Sequence, residues 1–130
     1  MNRRGASAME FVLTLPVVIL LVGITVEWGW VLNQQTWVHA AARDAARWAV
    51  EQDPDSVNIT QSAEFAAEEW LSSYNFDCDA VECDIRGRII DVAGRRALEL
   101  SVDIEHEPIL GLVATPETLH GESTYVLKFQ

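Results

Sequence analysis

The sequence predicts an α+β protein: a long N-terminal helix, part membrane span and part amphipathic, then a second helix and a small antiparallel sheet of three or four strands. Three observations carry that expectation. An uncharged apolar run occupies Phe11 to Val26, helical periodicity continues past it to about Val50, and the pattern switches to period two after Val81. The chain has 130 residues and a formal charge of −11, from nine Lys plus Arg against 20 Asp plus Glu. That acidic balance argues against nucleic acid as a partner, because phosphate binding needs a basic surface.

The apolar run is bracketed by Glu10 and Glu27, 17 positions apart. At 1.5 Å per helical residue this is ~25 Å, close to the ~30 Å thickness of bilayer hydrocarbon. A span is therefore expected at about residues 11–27. Trp28 and Trp30 follow where an interfacial aromatic belt belongs, and Glu27 stands with them at the same membrane interface. A secretory signal would end in small residues at a cleavage site, whereas this run continues into the bulky sequence EWGWVLNQQTW. Arg3 and Arg4 precede the span and the residues beyond it are acidic, so the positive-inside rule puts the N-terminus in the cytoplasm and the body outside. Pro16 removes one helical hydrogen bond and predicts a kink within the span.

Helical spacing continues beyond the membrane. On a wheel of 100° per residue with Trp30 at zero, Trp37, Trp48, Ala41, Ala45, Val38, Val31 and Ala49 fall on an arc from about 340° through 0° to about 100°. Asn33, Thr36, His39, Arg43 and Arg47 fall opposite. One helix of ~40 residues, ~60 Å long, is implied, with Trp37, Ala41, Ala45 and Trp48 as its packing face. Asp53-Pro54 is expected to break it. A second helix is expected between Ser56 and Asn75, with Ala63, Ala66, Ala67, Trp70 and Tyr74 inward and Glu64 and Glu68 outward. Asn58-Ile59-Thr60 matches an N-glycosylation acceptor, and helix-start residues explain it equally well.

The strand signal is cleanest where Leu98, Leu100, Val102 and Ile104 alternate with Glu99, Ser101, Asp103 and Glu105. Cys83 to Ile90 is its expected partner across the turn DVAGR, and Ser123 to Phe129 offers a third strand. Between strands, the stretch HEPILGLVATPETLHG carries Ile109, Leu110, Leu112 and Val113. Those residues are expected to cap the core; the alternative is an exposed contact patch for a neighbouring subunit.

Cys78 and Cys83 most simply form a disulfide in an exported body, closing a short loop and contributing on the order of 2 to 3 kcal/mol. A metal site would need more soft ligands than two thiols, and the C-x4-C spacing is not that of a redox motif. No active site emerges. His39, His106 and His120 lack motif spacing, and no phosphate loop or nucleophile elbow is present. The stretch DCDAVECD offers Asp77, Asp79, Glu82 and Asp84 to a cation but lacks the glycine and closing glutamate of an EF-hand loop, so a solvated acidic loop is the expectation. No metal and no cofactor is expected, and an assembly component is favoured over an enzyme. Two other classes stay in view: a bitopic membrane protein with an acidic sensory or binding domain, and, more distantly, an extracytoplasmic metal-binding enzyme.

Two arginines, Gly5, a small-residue stretch, Glu10-Phe11, an apolar span and a long helix together resemble a class III signal of the type IV pilin superfamily. More narrowly, the segment RGASAMEFVLTLPVVILLVGITVEWGWVLNQQTWVHAAARDAARWAV is similar to the TadE-like pseudopilins of tight-adherence (Tad, or Flp) pilus systems. The glycine, the Glu-Phe pair, the Leu-Pro within the span, the later Glu and the run Ala41 to Arg47 carry the resemblance. Met9, Trp28, Trp30 and Trp37 are bulkier than that family's usual choices. The resemblance implies cleavage between Gly5 and Ala6 by a prepilin peptidase, with Glu10 becoming the fifth residue of the mature chain. It implies a division into a leader at 1–5, the long helix at 6–52 and an extracytoplasmic α+β domain at 53–130. It implies a minor pilin of the bacterial inner membrane whose partners are other pilin and pseudopilin subunits, the inner-membrane assembly platform and the lipid bilayer. In that reading Glu10, beside Phe11, pairs with the new terminal ammonium of an adjacent subunit.

Overall fold

The computed structural model describes residues 3–52 and 58–127, with side chains from Met9 onward. Two helices, α1 (Arg3–Gln52) and α2 (Ile59–Ser73), precede three strands, β1 (Cys83–Val92), β2 (Arg95–Glu105) and β3 (Thr118–Val126). The strands form one antiparallel sheet in the order β1-β2-β3. The fold is α+β. The expected break at Asp53-Pro54 and the residue Phe129 lie outside the described residues.

The chain forms two compact units. One comprises Met1–Leu32 with Pro108–Thr115, and the other Asn33–Glu107 with Pro116–Gln130. In the second unit, β2 is the central strand, and Leu98, Leu100, Val102 and Ile104 are fully buried on its helix-facing side. Their register partners on that face include Gly87 on β1, opposite Leu100, and Gly121 on β3, opposite Val102. Each glycine marks a place where a helix backbone touches the sheet. A Cβ on Gly87 would lie 3.1 Å from the Thr60 carbonyl oxygen of α2, and one on Gly121 would lie 2.8 Å from the Val38 carbonyl oxygen of α1. Glycine in a strand interior is explained here by close backbone approach.

The helices meet the sheet through small residues. Val38, Ala41, Ala42, Ala45 and Ala46 of α1 and Ala63 and Ala67 of α2 are fully buried. Trp48 and Trp70, expected on the packing faces, are instead 42% and 40% exposed. On the same wheel the buried residues of α1 centre near 100°, so the tryptophans at 0° fall at the edge of a face made of alanines. Alanine there lets the backbones approach closely, which a buried indole would prevent. Trp37 stacks on Tyr74 with centroids 6.2 Å apart and planes 6° from parallel, and meets Phe76 edge-on at 6.3 Å. Asn75 enables this by ending α2 in the left-handed region at φ 67°, with Phe76 N–H donating to the Leu71 carbonyl and Asn75 N–H to that of Ser72. Glu64, expected to face away, accepts from the Gly87 N–H at 2.7 Å and so ties α2 to the edge strand β1.

The β1–β2 hairpin closes at Val92↔Arg95 through Ala93 at φ 55° and Gly94 at φ 78°. Two successive positive φ values suit the right-handed strand twist, and Ala93 accepts them at a cost of about 1 kcal/mol. β3 begins at Thr118, five residues ahead of the expected Ser123, because Leu119 and Gly121 face the helices and continue the alternation. The expectation missed this because glycine and histidine carry little strand signal. Glu99, expected to face solvent, is only 9% exposed and pairs with Arg88, its register partner on β1.

Asp103 and His120 are also register partners, with His120 Nδ1 2.7 Å from the Asp103 carboxylate and Nε2 3.6 Å from Glu122. Bonding to Asp103 raises the His120 pKa above its ordinary 6.5; desolvation opposes it, and the charge of Asp103 with the bond and charge of Glu122 add to the rise. A raised folded-state pKa stabilises the sheet below 6.5, and the gain is lost as pH rises through the folded-state value. Urea unfolding should therefore give the wild type an advantage of a few tenths of a kcal/mol over His120→Gln at acidic pH, since the pair is solvent-screened. The two curves should converge above the folded-state pKa; a pH-independent gap would show that the pair is not ionic.

Candidate membrane-anchor site

The first unit contains no sheet. Its helical part is α1 as far as Leu32, and Phe11, Val12, Leu13, Val17, Val18 and Ile19 all expose more than half their surface. Helix α1 is long and apolar enough to cross a membrane, and its most apolar window has no buried residue. Apolar side chains pointing outward all round a helix are the pattern expected of a membrane span. The helix continues through Pro16. Thr14 Oγ donates to the Phe11 carbonyl at 3.1 Å and Thr25 Oγ to the Leu21 carbonyl at 2.8 Å, so both hydroxyls within the run are satisfied by their own helix.

Gly5 and Ala6 lie within α1, and their side chains are outside the described residues. Glu10 is exposed and meets no partner among the described residues; Phe11 beside it is 63% exposed. Trp28 and Trp30 are part-exposed at 43% and 37%.

Glu27 is the most deeply buried carboxylate among the described residues. It is 1% exposed, and its carboxylate accepts backbone N–H groups from three consecutive residues: Leu110 at 3.1 Å and Gly111 at 2.9 Å on Oε1, and Leu112 at 3.1 Å on Oε2. Aligning three successive donors on one anion requires a concave turn, which Gly111 provides at φ 63°. One helical turn before Glu27, Gly23 leaves the space that Leu112 fills: a Cβ there would lie 2.6 Å from Leu112 Cδ1. Gly23 and Glu27 thus form a two-point seat for the loop Pro108–Thr115, one apolar and one charged.

The sequence suggests an interfacial position for Glu27 and places the apolar loop over the core of the body. The structure brings the loop to Glu27 within the first unit, and so corrects the expectation for the loop. Ile109, Leu110 and Leu112 do not enter the sheet core and remain 53%, 51% and 48% exposed. The signals available were Gly111 inside an apolar run and Gly23 spaced four residues from Glu27.

Elsewhere, Cys78 and Cys83 are disulfide-bonded across the turn between α2 and β1. Asp77, Asp79, Glu82 and Asp84 surround that turn, and among the described residues no three ligating side chains converge as a metal site. An open cleft of about 630 Å³ in the second unit is lined by Glu82, Asp84, Asp103, Glu105, Glu117 and His106. His106 is 6% exposed, and neither ring nitrogen has a partner among the described residues.

An α+β protein with, among the described residues, one helix that is a candidate membrane span is the class that these features define. The sequence model of the TadE-like protein family matches residues 5–47. Over that stretch, from Gly5 through the candidate span to Arg47, the chain is similar to TadE-like proteins. Comparison with curated proteins and with solved structures gave no match.

Proposed function

We propose that this chain is a minor pilin or pseudopilin, a structural subunit of a Tad-type pilus assembly apparatus and not an enzyme. The observation that carries the reading is the N-terminal segment: Gly5 and then Glu10-Phe11 ahead of an exposed apolar helix, within the stretch that matches the TadE-like family. The chain sits in the inner membrane with a cytoplasmic N-terminus. A prepilin peptidase removes residues 1–5 and frees the amine of Ala6, and the subunit then docks with sister pilins at the assembly platform to serve surface adhesion. Glu10 supplies the docking charge. Exposed and unpartnered among the described residues, it gains a strong attraction to a neighbour's terminal ammonium once helices bundle in a medium of low dielectric constant. Left unpaired in that bundle it is penalised, which favours correct register.

Mass spectrometry of membrane-extracted protein from cells with active peptidase should find Ala6 as the first residue, and Gly5→Leu should retain Met1 or Asn2. Glu10→Ala should be cut normally and recovered from pili at a small fraction of the wild-type level. An intact N-terminus in the wild type would overturn the pilin reading. It would favour instead a bitopic protein with an acidic binding domain, for which the carboxylate-lined cleft around His106 is the supporting observation.

A further inference from the structure

We propose that the loop Pro108–Thr115 is a second membrane contact, which lays Ile109, Leu110 and Leu112 into the interfacial layer of the bilayer beside the span. The proposal rests on reading α1 as a membrane helix and adds a lipid-binding surface far away in sequence. Three observations support it. The eight residues Pro108 to Thr115 carry no charge, while Glu107 and Glu117 flank them. The loop is seated on the candidate span itself, with Leu112 against Gly23 and three N–H groups on Glu27. Its three large apolar side chains are about half exposed, and Leu110 and Leu112 lie beside Gly23 of the apolar run of α1.

The hydrogen bonding suits contact with lipid. A loop in contact with hydrocarbon must have its backbone groups satisfied, and here three consecutive N–H groups are bonded to Glu27. The donors satisfied here belong to Leu110, Gly111 and Leu112, whose two leucine side chains are half exposed. The same bonds let Glu27 lie at that depth, since a carboxylate accepting three N–H groups is stabilised without water. At the interface the loop carbonyls still reach headgroup water.

Depth-dependent quenching tests the proposal on the full chain. The protein is reconstituted in vesicles of phosphatidylethanolamine and phosphatidylglycerol, with an environment-sensitive fluorophore on single cysteines introduced as Leu110→Cys, Val26→Cys, Ile19→Cys and Gln61→Cys. Cys78 and Cys83 are bonded to each other and do not react. A lipid bearing a nitroxide near the headgroup should cause a loss of emission at Leu110→Cys comparable to that at Val26→Cys, with aqueous iodide affecting only Gln61→Cys. Quenching of Leu110→Cys by iodide and not by lipid would overturn the proposal, and protection from both would overturn it in favour of a covering protein surface. Quenching of Ile19→Cys by a second lipid, with its nitroxide deep in the acyl chain, keeps the span reading intact in either case. Its absence would remove that reading and the proposal together.

Discussion

Replacing Glu27 with alanine is expected to release the loop Pro108–Thr115 from α1 while leaving the sheet folded. The substitution removes the acceptor of three N–H groups at once, and hydrogen bonds to a charged partner are worth about 1.5 to 3 kcal/mol each before compensation. The loop limits the loss by peeling away and finding water, so a local cost of roughly 3 kcal/mol is reasonable, or about a hundredfold in opening. Hydrogen exchange at Leu110, Gly111 and Leu112 should accelerate by that factor, with protection in β2 unchanged. Glu27→Gln should fall between, since the amide keeps one acceptor oxygen and loses the charge. Exchange rates unmoved in Glu27→Ala would show that Leu112 on Gly23 holds the loop alone.

The largest expected loss of stability comes from Gly121. A Cβ at this position would lie 2.8 Å from the Val38 oxygen, 2.9 Å from its carbonyl carbon and 2.9 Å from Cγ1. Two of those atoms are helix backbone, which cannot rotate aside, so β3 and α1 have to part. Overpacking of this kind costs about 3 kcal/mol, offset in part by the intrinsic gain of replacing glycine in a strand. For a body of this size Gly121→Ala should lower Tm by on the order of 10 °C, and Gly121→Val by more. Gly87→Ala is the matched control. Its nearest contacts to Thr60 are 3.1 and 3.2 Å, which a few tenths of an ångström relieve, so its Tm should fall much less. Equal shifts for the two glycines would show that the α1 contact is as yielding as the α2 contact.

These two sites mark the boundary of what the sequence makes legible. The alternation from Leu98 to Ile104 identifies a strand and its buried face, because a half-buried strand writes its environment into every second residue. The amphipathic part of α1 is legible as a helix, and Val31, Val38, Ala41, Ala45 and Ala49 of its predicted stripe are buried, but Trp30 and Trp48 in that stripe stay part-exposed at its edge. Side-chain size is a poor guide where close approach is what packing requires. Glu27 is less legible still. Its partners are backbone N–H groups, which every residue but proline possesses and which no residue type announces. Gly121 and Gly87 likewise read as weak points in strands until the helices above them are known.

The hydrogen bonds of Glu27 also have a place in time. Leu110 follows Glu27 by 83 positions, so at ordinary synthesis rates of roughly 5 to 20 residues per second the carboxylate precedes its first donor by about 4 to 17 s. During that interval the nascent helix carries an anion that the finished protein hides. Water, or another protein, has to serve as the temporary partner while the rest of the chain is made. A fragment that ends before Pro108 is held permanently in that unfinished condition, so the isolated helix and the same helix in the complete chain are chemically different objects.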